Sequence, residues 1–409
     1  MEPSTLPPVN SRAQQLPKLA YIGDVPVESS YHGSLLLYRL LQDYPMANLR
    51  IVEGKLLRLS APERRLTGVQ YQTFSLGHER LLRTRFHKFY SAILSLTAAR
   101  RAKQIESLLR NFSPKAVLTV THGYSWMTAA VFAARHQLPL HLICHDDWPR
   151  IADLPDAVKN WLDSVFGRVY RQAASRFCVS PAMRDTYRAR YGVAGEVLYP
   201  SRSPDCTSYD APPQRLTSKS SRFTIAFAGT INSESYANAL VVLAHALDEI
   251  NGRLLIFGPI SREEAKRHGL VRENIELHGL RPSADLLEQF RKLVDALFVP
   301  MSFDERERAN MESSFPSKLA DYTAVGLPIL IRGPEYCSAV SWARENPDVA
   351  DVVTSKNREP LAKAVRRLSE DSSYRMTLAV RALEVGQRYF AAEALQRILY
   401  RSLREGPKA

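Results

Sequence analysis

The segment Ser313 to Leu330 holds the densest set of side chains that could do chemistry. Lys318 and Asp321 lie three positions apart, so on a helix they are neighbours on one face. The lysine could neutralise a diphosphate while the carboxylate accepts hydrogen bonds from ribose hydroxyls. The alternative is an ordinary surface ion pair, which has the same spacing.

The residues around Lys318 predict a helix with defined ends. Ser314 could cap its first turn, Pro316 is tolerated in that turn, and Gly326 provides a left-handed stop before the apolar run that starts at Ile329. The pattern therefore predicts a helix that presents Lys318 near its N-terminus.

Two further turns have the composition of phosphate-binding turns. Gly229-Thr230 follows the apolar run Phe223 to Ala228, and Gly33-Ser34 follows Leu19 to Ile22. A glycine lets a ligand approach the backbone, and the N-terminus of the next helix offers free N–H groups and the positive end of its dipole. Because ordinary β-to-α turns also favour glycine, a purely structural role is the alternative.

These candidate residues belong to an alternating pattern of strands and helices. Short runs rich in β-branched residues predict strands, and segments with apolar residues at helical spacing separate them. The predicted strands are Leu19–Ile22, Ala116–Val120, Leu140–Ile143, Phe177–Val179, Phe223–Ala228, Arg253–Phe257, Ile275–Leu277, Ala296–Val299 and Ile329–Ile331. The pattern predicts an α/β protein with two Rossmann-like, doubly wound domains that face a central cleft.

The polar, proline-containing segment 203–222 interrupts this pattern and predicts the connection between the domains. The length of 409 residues also favours two domains. We expect a flexible N-terminus at 1–17, a first domain at 18–205, a linker at 206–222 and a second domain at 223–388. Apolar positions from 373 to 405 predict one or two amphipathic helices, with residues 389–409 returning to the first domain.

The net charge of +13 is concentrated near the start, where residues 1–110 contain 16 Lys and Arg against 8 Asp and Glu. Within this region the stretch 78–110 combines basic and apolar residues at helical spacing. Such a stretch predicts contact with an anionic membrane, and a solvated helix face is the alternative. No nucleic-acid-binding motif accompanies the charge, so we expect no nucleic-acid partner. The stretch contains Arg80, Arg83, Arg85, Lys88, Arg100, Arg101 and Lys103.

The composition also bears on location. No apolar run reaches the roughly 18 to 20 residues of a membrane-spanning helix, and residues 1–17 lack the apolar block of a signal peptide. We therefore expect a cytoplasmic protein, peripheral on the inner face of the membrane if the basic stretch binds lipid. The cysteines have no CxxC spacing and are expected to be buried thiols; they are Cys144, Cys178, Cys206 and Cys337.

The run Phe315-Pro316-Ser317-Lys318, continued by Leu319-Ala320-Asp321-Tyr322, resembles the donor-binding helix of GT-B glycosyltransferases, especially those related to family 4. Other blocks follow in the order that the resemblance requires, namely Phe223–Thr230, Leu254–Pro259, Ile275–Leu280 and Ala296–Pro300, with Cys178–Met183 and Tyr187–Gly192 in the first domain. The resemblance implies a GT-B fold and a nucleoside diphosphate sugar as donor. The implied donor-binding residues are Gly229, Thr230, Gly258, Leu280, Arg281, Phe315, Pro316, Ser317, Lys318 and Asp321.

Two positions depart from the family pattern. The family's E-x7-E pair would place acids at 313 and 321, but this chain has Ser313 and the shorter Asp321. Many family members hold the diphosphate with an Arg and a Lys after the first strand of the donor domain, but Thr230 to Ala239 contains neither. The lysine of the donor helix must then supply the positive charge, helped by Arg281 or Arg253.

His145 follows the predicted strand Leu140–Ile143 and precedes Asp146. It is similar to the family's strand-end histidine, which points towards the sugar and the acceptor. The resemblance implies that His145 orients the sugar or contacts the leaving phosphate, and that His145 and Lys318 are the catalytic residues. A loop histidine without function is the alternative. The residues expected on the diphosphate and acceptor side are Gly33, Ser34, His122 and Asp146.

The expected reaction follows from the resemblance. It is transfer to a glycan, a lipid-linked glycan or another polysaccharide precursor, with retention of configuration and no cofactor besides the donor. Adjacent Asp146 and Asp147 project in different directions along an extended chain, so we expect no metal. The alternatives are a nucleotide-binding scaffold that has lost turnover, suggested by Ser313, and a sugar-nucleotide epimerase. Loop residues set the base, the sugar and the acceptor, so the sequence predicts none of these.

Overall fold

The computed structural model describes residues 16–29, 32–55, 62–82, 84–203, 207, 209–218, 221–231 and 233–405. Most of the predicted flexible segment 1–17, Arg83, Cys206 and part of the predicted linker 206–222 lie outside these ranges. The chain divides into two compact units, Met1–Tyr199 with Ala392–Ala409, and Pro200–Ala391.

The first unit is built on a parallel sheet. Its strands are β1 (Leu19–Gly23), β2 (Leu49–Lys55), β3 (Gln70–Ser75), β4 (Ala116–Val120), β5 (Leu140–Cys144), β6 (Ser175–Cys178) and β7 (Glu196–Val197). They lie in the order β3-β2-β1-β4-β5-β6-β7, and every neighbouring pair is parallel. The central strands β1, β4 and β5 are buried along their whole length, because helices cover both faces of such a sheet.

The helices of the first unit connect these strands. They are α1 (His32–Leu41), α2 (Glu79–Leu82), α3 (His87–Leu96), α4 (Ala98–Leu109), α5 (Ser125–Arg135), α6 (Trp148–Ile151), α7 (Asp156–Gln172) and α8 (Pro181–Tyr191). Helix α8 has the ends that its sequence encodes, because the Ser180 hydroxyl accepts a hydrogen bond from the Met183 N–H at 3.0 Å and Gly192 adopts φ +81°.

The second unit holds a six-stranded parallel sheet. Its strands are β8 (Thr224–Ala228), β9 (Arg253–Phe257), β10 (Ile275–Leu277), β11 (Ala296–Pro300), β12 (Ile329–Arg332) and β13 (Asp351–Val353), in the order β10-β9-β8-β11-β12-β13. The helices are α9 (Glu234–Asp248), α10 (Arg262–Arg267), α11 (Ser283–Leu293), α12 (Arg308–Ser313), α13 (Lys318–Tyr322), α14 (Ser338–Glu345), α15 (Arg358–Glu370) and α16 (Ser372–Phe390). The prediction of two α/β domains with parallel sheets is confirmed.

The last helix, α17 (Ala392–Glu405), belongs to the first unit. Its Gln396 amide donates hydrogen bonds to the Arg39 carbonyl at 3.0 Å and to the Asp43 carboxylate at 2.8 Å. The Tyr400 hydroxyl donates to the Leu40 carbonyl at 2.9 Å. The amphipathic pattern from 373 to 405 therefore forms two helices, one in each unit.

The first unit ends earlier than the predicted residue 205. Pro200 begins the second unit. The Arg202 guanidinium donates to the Ala320 carbonyl at 3.1 Å and to the Thr323 hydroxyl at 3.2 Å. These buried hydrogen bonds fix the residues before the linker onto the donor-helix region, and composition alone did not reveal them. None of the described helices is long and apolar enough to cross a membrane.

Candidate functional site

Three glycines lie together at the carboxyl ends of β8, β9 and β10. The Gly229 N–H donates to the Phe257 carbonyl at 2.8 Å, and the Gly258 N–H donates to the Gly279 carbonyl at 3.0 Å. A Cβ at Gly258 would lie 2.2 Å from the Gly229 carbonyl oxygen, so no side chain fits there. Gly229 itself has φ +141°. The strand ends therefore present bare backbone at the edge where parallel sheets bind ligands.

Lys318, the first residue of α13, extends over this glycine edge. Its ammonium lies 5.1 Å from the centroid of the Phe227 ring and 5.8 Å from that of Tyr236. A Cβ at Gly229 would lie 2.6 Å from the Lys318 Cε and 3.1 Å from its Nζ. The glycine thus leaves the space that the lysine side chain occupies, and two aromatic faces stabilise its charge.

Lys318 lies in surroundings that disfavour its positive charge. Burial lowers the pKa of Lys318 to about 8, and no neighbouring carboxylate opposes this effect. Within the described ranges no acidic side chain forms an ion pair with it. Binding of an anion stabilises a half-buried cation of this kind. The arrangement suits a phosphate or diphosphate group.

Helix α13 is held firmly against the sheet. The Tyr322 hydroxyl accepts a hydrogen bond from the Ala228 N–H at 2.7 Å, in the last residue of β8. Burial raises the pKa of the Tyr322 phenol, which stays neutral. Because Arg202 also donates to the Ala320 carbonyl, the middle and the last residue of this short helix are tied to neighbouring elements. Lys318 therefore starts from a fixed backbone.

The turn before α13 differs from the predicted cap. Ser314 follows the last residue of α12, and its hydroxyl donates to the Asn310 side-chain oxygen at 2.5 Å. The N-cap residue of α13 is Ser317, and its side chain forms no capping hydrogen bond. The prediction that Ser314 caps the lysine helix is wrong, because a second short helix precedes the turn. Gly326 does adopt the predicted left-handed φ, at +70°.

Phe315 and Pro316 shape this turn from inside. The Phe315 ring is buried against Trp342, with centroids 5.9 Å apart, and against Phe390 at 5.8 Å. The Pro316 carbonyl accepts a hydrogen bond from the Leu319 N–H at 3.1 Å. These two residues therefore fix the backbone conformation of the turn that leads into α13. The partly buried Asp321 lies one turn further along the helix.

The remaining predicted donor residues lie at different places around the edge. Thr230 follows Gly229 and is partly buried. Leu280 and Arg281 are exposed in the loop after β10. Arg253, which we expected to assist Lys318, is the first residue of β9 and pairs with Glu276 at 3.0 Å. It lies at the amino end of the strand, opposite the glycine edge, so that expectation is wrong.

In the first unit, three predicted residues meet at the carboxyl ends of β4 and β5. The Asp146 Oδ2 lies 3.1 Å from the His145 Nε2 and 3.2 Å from the His122 Nδ1. The two imidazole rings have centroids 5.3 Å apart. Trp148 packs on His122 with centroids 4.6 Å apart. One carboxylate thus orients both rings.

The two imidazole rings favour the ionised form of Asp146. Burial by itself raises the pKa of Asp146, but the charge of His145 and the hydrogen bonds from His122 and His145 lower it well below its usual range. The next residue, Asp147, turns away to a bidentate pair with Arg190 at 2.9 and 3.0 Å. One ligand atom each from His122, His145 and Asp146 lie within 4.8 Å of one another, which is a spacing that could hold a metal ion.

The Gly33 turn contributes space to the same cluster. Helix α1 begins at His32, so Gly33 and the buried Ser34 belong to its first turn. A Cβ at Gly33 would lie 2.7 Å from the His145 Cε1 and 3.0 Å from its Nδ1. The glycine therefore allows the imidazole to approach the N-terminus of α1.

A comparison with known protein families is independent of the geometry described above. Residues 61–201 match the model of Glycosyltransferase Family 4. This segment, about a third of the chain, is similar to that family. None of the curated proteins matches the sequence.

The fold of this chain is similar to that of several solved structures. Anabaena HepE, in complex with UDP and glucose, has a TM-score of 0.66 at 13% identity, over 95% of this chain and 100% of that chain. Sucrose-phosphate synthase from Thermosynechococcus elongatus has 0.64 at 14%, over 95% and 98%. The lipopolysaccharide outer core galactosyltransferase WaaB, in its apo form, has 0.57 at 15%, over 95% and 98%. At these identities the similarity establishes the fold.

Sequence reasoning missed one polar residue in the first unit. Asp24, directly after β1, accepts hydrogen bonds from the Tyr124 N–H at 2.5 Å, the Ser125 N–H at 2.8 Å and the Ser125 hydroxyl. Burial raises the pKa of Asp24, although these hydrogen bonds and the charge of His122 lower it in part. It caps α5 and so fixes the loop that carries His122. A carboxylate at the end of a central strand was the available signal.

Proposed function

We propose that this protein is a glycosyltransferase that moves a sugar from a nucleoside diphosphate sugar to an acceptor hydroxyl. The observation that carries the proposal is Lys318, a half-buried cation at the glycine edge of the second sheet. HepE of Anabaena, which has the same fold, was solved with UDP-glucose. A diphosphate placed over Gly229 and Gly258 would supply the anion that Lys318 lacks.

The proposed chemistry uses charge stabilisation. The bond between the anomeric carbon and the phosphate oxygen breaks, the carbon forms a bond to the acceptor oxygen, and the proton of the acceptor hydroxyl passes to the departing phosphate oxygen. Negative charge then grows on the departing diphosphate, where Lys318 stabilises it. Tyr236, in the first turn of α9, lies beside Lys318, so the positive end of that helix dipole acts on the same region. We propose that configuration is retained, as the family resemblance implies.

We assign the acceptor side to the first unit. His145, oriented by Asp146, would contact the sugar or the departing phosphate, and His122 would hold the other side of the carboxylate. Asp146 stays ionised because its pKa is so low, so it acts as an orienting acceptor of hydrogen bonds. The proposed acceptor is a hydroxyl of a glycan, a lipid-linked glycan or a related polysaccharide precursor.

We propose that transfer needs no metal. The His145 Nε2 and the His122 Nδ1 lie 3.1 and 3.2 Å from the same Asp146 oxygen, so this carboxylate already balances the charge of the two rings. Transfer measured with EDTA should equal transfer without it. Loss of activity in EDTA, restored by a divalent cation, would instead assign a metal to His122, His145 and Asp146.

Thermal-shift measurements with UDP, GDP, dTDP and their sugars test the proposal. We expect at least one nucleotide to raise the melting temperature of the wild type and to leave Lys318→Ala unchanged. Binding without turnover would favour a scaffold role, in line with Ser313, whose hydroxyl donates to the Ala309 carbonyl at 2.7 Å where relatives carry an acid. Product analysis without an acceptor distinguishes an epimerase.

We also propose that helix α3 contacts an anionic membrane from the cytoplasmic side. Phe86, Phe89, Ile93 and Leu96 are 55%, 69%, 53% and 65% exposed, and their spacing places them on one helix face. Among the predicted basic residues, Arg101 does not contribute, because it is buried and donates to the Thr128 hydroxyl at 3.1 Å. The exposed basic residues of the described stretch are Arg80, Arg85, Lys88, Arg100, Lys103 and Arg110.

A further inference from the structure

An apolar groove of about 770 Å³ runs along helix α5 in the first unit. Its floor is the outer face of α5, including Ala130 and Ala134, and its walls are the junction of α3 and α4 on one side and α7 on the other. The volume lies within the roughly 300 to 1,000 Å³ of small-molecule sites. The small floor residues leave the depth that the groove needs.

The groove is separate from the histidine cluster. Its lower end is formed by Pro139 and Leu140, at the start of β5, and by Ala174, which precedes β6. His145 follows the opposite end of β5. Five residues of strand separate the two sites by roughly 17 Å. A ligand in the groove is therefore not the donor or the reacting part of the acceptor.

The charged side chain at the groove indicates which kind of ligand it binds. Among the described residues that line it, the single charged side chain is that of Arg168, which is exposed at the rim. No acidic residue in the described part of the chain forms an ion pair with Arg168. A hydrocarbon chain on the alanine floor would place an anionic group at this guanidinium.

The groove is continuous with the exposed face of α3. Leu96, the last residue of that face, also lines the groove, and Trp161 on the opposite wall is 38% exposed. Such contiguous exposed apolar surface marks a binding site in a soluble domain. A chain that leaves a bilayer beneath α3 would enter the groove without crossing polar surface.

We propose that the groove binds one hydrocarbon chain of an anionic membrane lipid, with the lipid's charged group at Arg168. The bilayer as the source of the chain rests on the proposed membrane contact of α3, whereas the groove as an apolar site rests on its own lining. Both are independent of the nucleotide site. The bound chain adds apolar contact to the electrostatic attraction of the basic residues. It thereby holds the first unit at the bilayer surface, where a lipid-linked acceptor would be presented.

Fluorescence quenching by brominated chains tests the proposal. The vesicles contain equal parts of phosphatidylcholine and phosphatidylglycerol with bromine on the acyl chains. We expect them to quench the emission of Trp161, identified by its loss in Trp161→Phe. The double substitution Ala130→Leu with Ala134→Leu fills the groove at little cost to helix propensity. It should abolish this quenching while co-sedimentation with the vesicles persists through α3, and Ala189→Leu, on exposed α8 surface, should change neither.

The outcomes separate the groove from the membrane contact. Quenching that survives the filled groove would overturn the proposal, because Trp161 would then be reporting bilayer insertion alone. If the vesicles do not bind, a monomeric brominated fatty acid should still quench Trp161 in the wild type and not in the filled variant. That result keeps the groove and rejects the contact of α3. No quenching by either probe, or a dimer that the filled variant abolishes, would overturn the proposal, whereas nucleotide binding would be unaffected throughout.

Discussion

The ammonium of Lys318 lies 5.1 Å from the centre of the Phe227 ring. Phe227 belongs to β8, and Lys318 begins α13. This contact places a cation at the end of a sheet where the nearest groups are aromatic faces and glycine backbone. The free protein therefore bears an electrostatic cost that an anionic ligand removes. This electrostatic cost, and its removal by an anionic ligand, lead to the first two predictions.

Lys318→Met should stabilise the free protein and remove nucleotide binding. Burial lowers the pKa of Lys318 from its usual 10.5 to about 8, so at pH 7 the folded protein holds a charge that its surroundings disfavour. We expect the free energy of unfolding to rise on the order of 2 kcal/mol. Urea denaturation with and without nucleotide measures both effects. Lys363→Met, on the exposed face of α15, should change neither, and a destabilised Lys318→Met would count against this explanation.

Nucleotide affinity should fall as the pH rises above 8. Only the protonated lysine attracts the diphosphate, and with a folded pKa of about 8 the charge is lost between pH 7 and pH 9. Affinity at pH 9 should be about tenfold weaker than at pH 7. Calorimetric titrations across this range give the profile. Lys318→Met should show a flat profile, and equal slopes for the two proteins would mean that another group is responsible.

Gly229→Ala should impair binding more than its backbone strain explains. A Cβ at this position would lie 2.6 Å from the Lys318 Cε, so the lysine must move. Gly192→Ala is a matched control, because Gly192 also has a positive φ but meets no atom within 4 Å. We expect each substitution to cost about 1 kcal/mol of stability from strain. Only Gly229→Ala should weaken nucleotide binding, and equal affinities would show that the Lys318 position is unimportant.

His145→Gln should lower the turnover of sugar transfer by on the order of 10²-fold or more. The dissociation constant for the nucleotide should change little, because the nucleotide is assigned to the second unit. Gly33→Ala should have a smaller effect in the same direction, since its Cβ would displace the His145 ring. His136→Gln, which removes an exposed histidine that lies 3.6 Å from Glu106, should leave turnover unchanged. Full turnover in His145→Gln would remove this residue from the mechanism.

The sequence predicted nine strands, including β10 at a sheet edge, and missed β2, β3, β7 and β13. Strands such as β8 and β11 are buried on both faces, so their residues are continuously apolar. Strand β3, at the sheet edge, has mostly exposed or partly exposed side chains and no such signal. Strands β7 and β13 are only two and three residues long. Such strands form because they pair with a neighbouring strand, and a local sequence pattern does not encode this pairing.

The site was predictable where local spacing or family resemblance specified it. Lys318 and His145 were predicted in this way, and their roles stay predictions. Their partners were not predicted, because Phe227 and Tyr236 meet Lys318 only after the strands are ordered in the sheet. The failure for Arg253 has the same origin, since its position at the amino end of β9 follows from strand direction. The register of β4 against β5 likewise brings His122 to Asp146.

The most direct test of the donor site is isothermal titration of UDP, GDP and dTDP into the wild type and Lys318→Ala. We expect one of these nucleotides to bind the wild type, and the substitution to weaken that binding by at least about tenfold, as loss of a charge-assisted hydrogen bond implies. Circular dichroism of the two proteins would establish that both are folded. Binding of equal strength to both proteins, or of no nucleotide to the wild type, would contradict the assignment of Lys318 to the donor diphosphate.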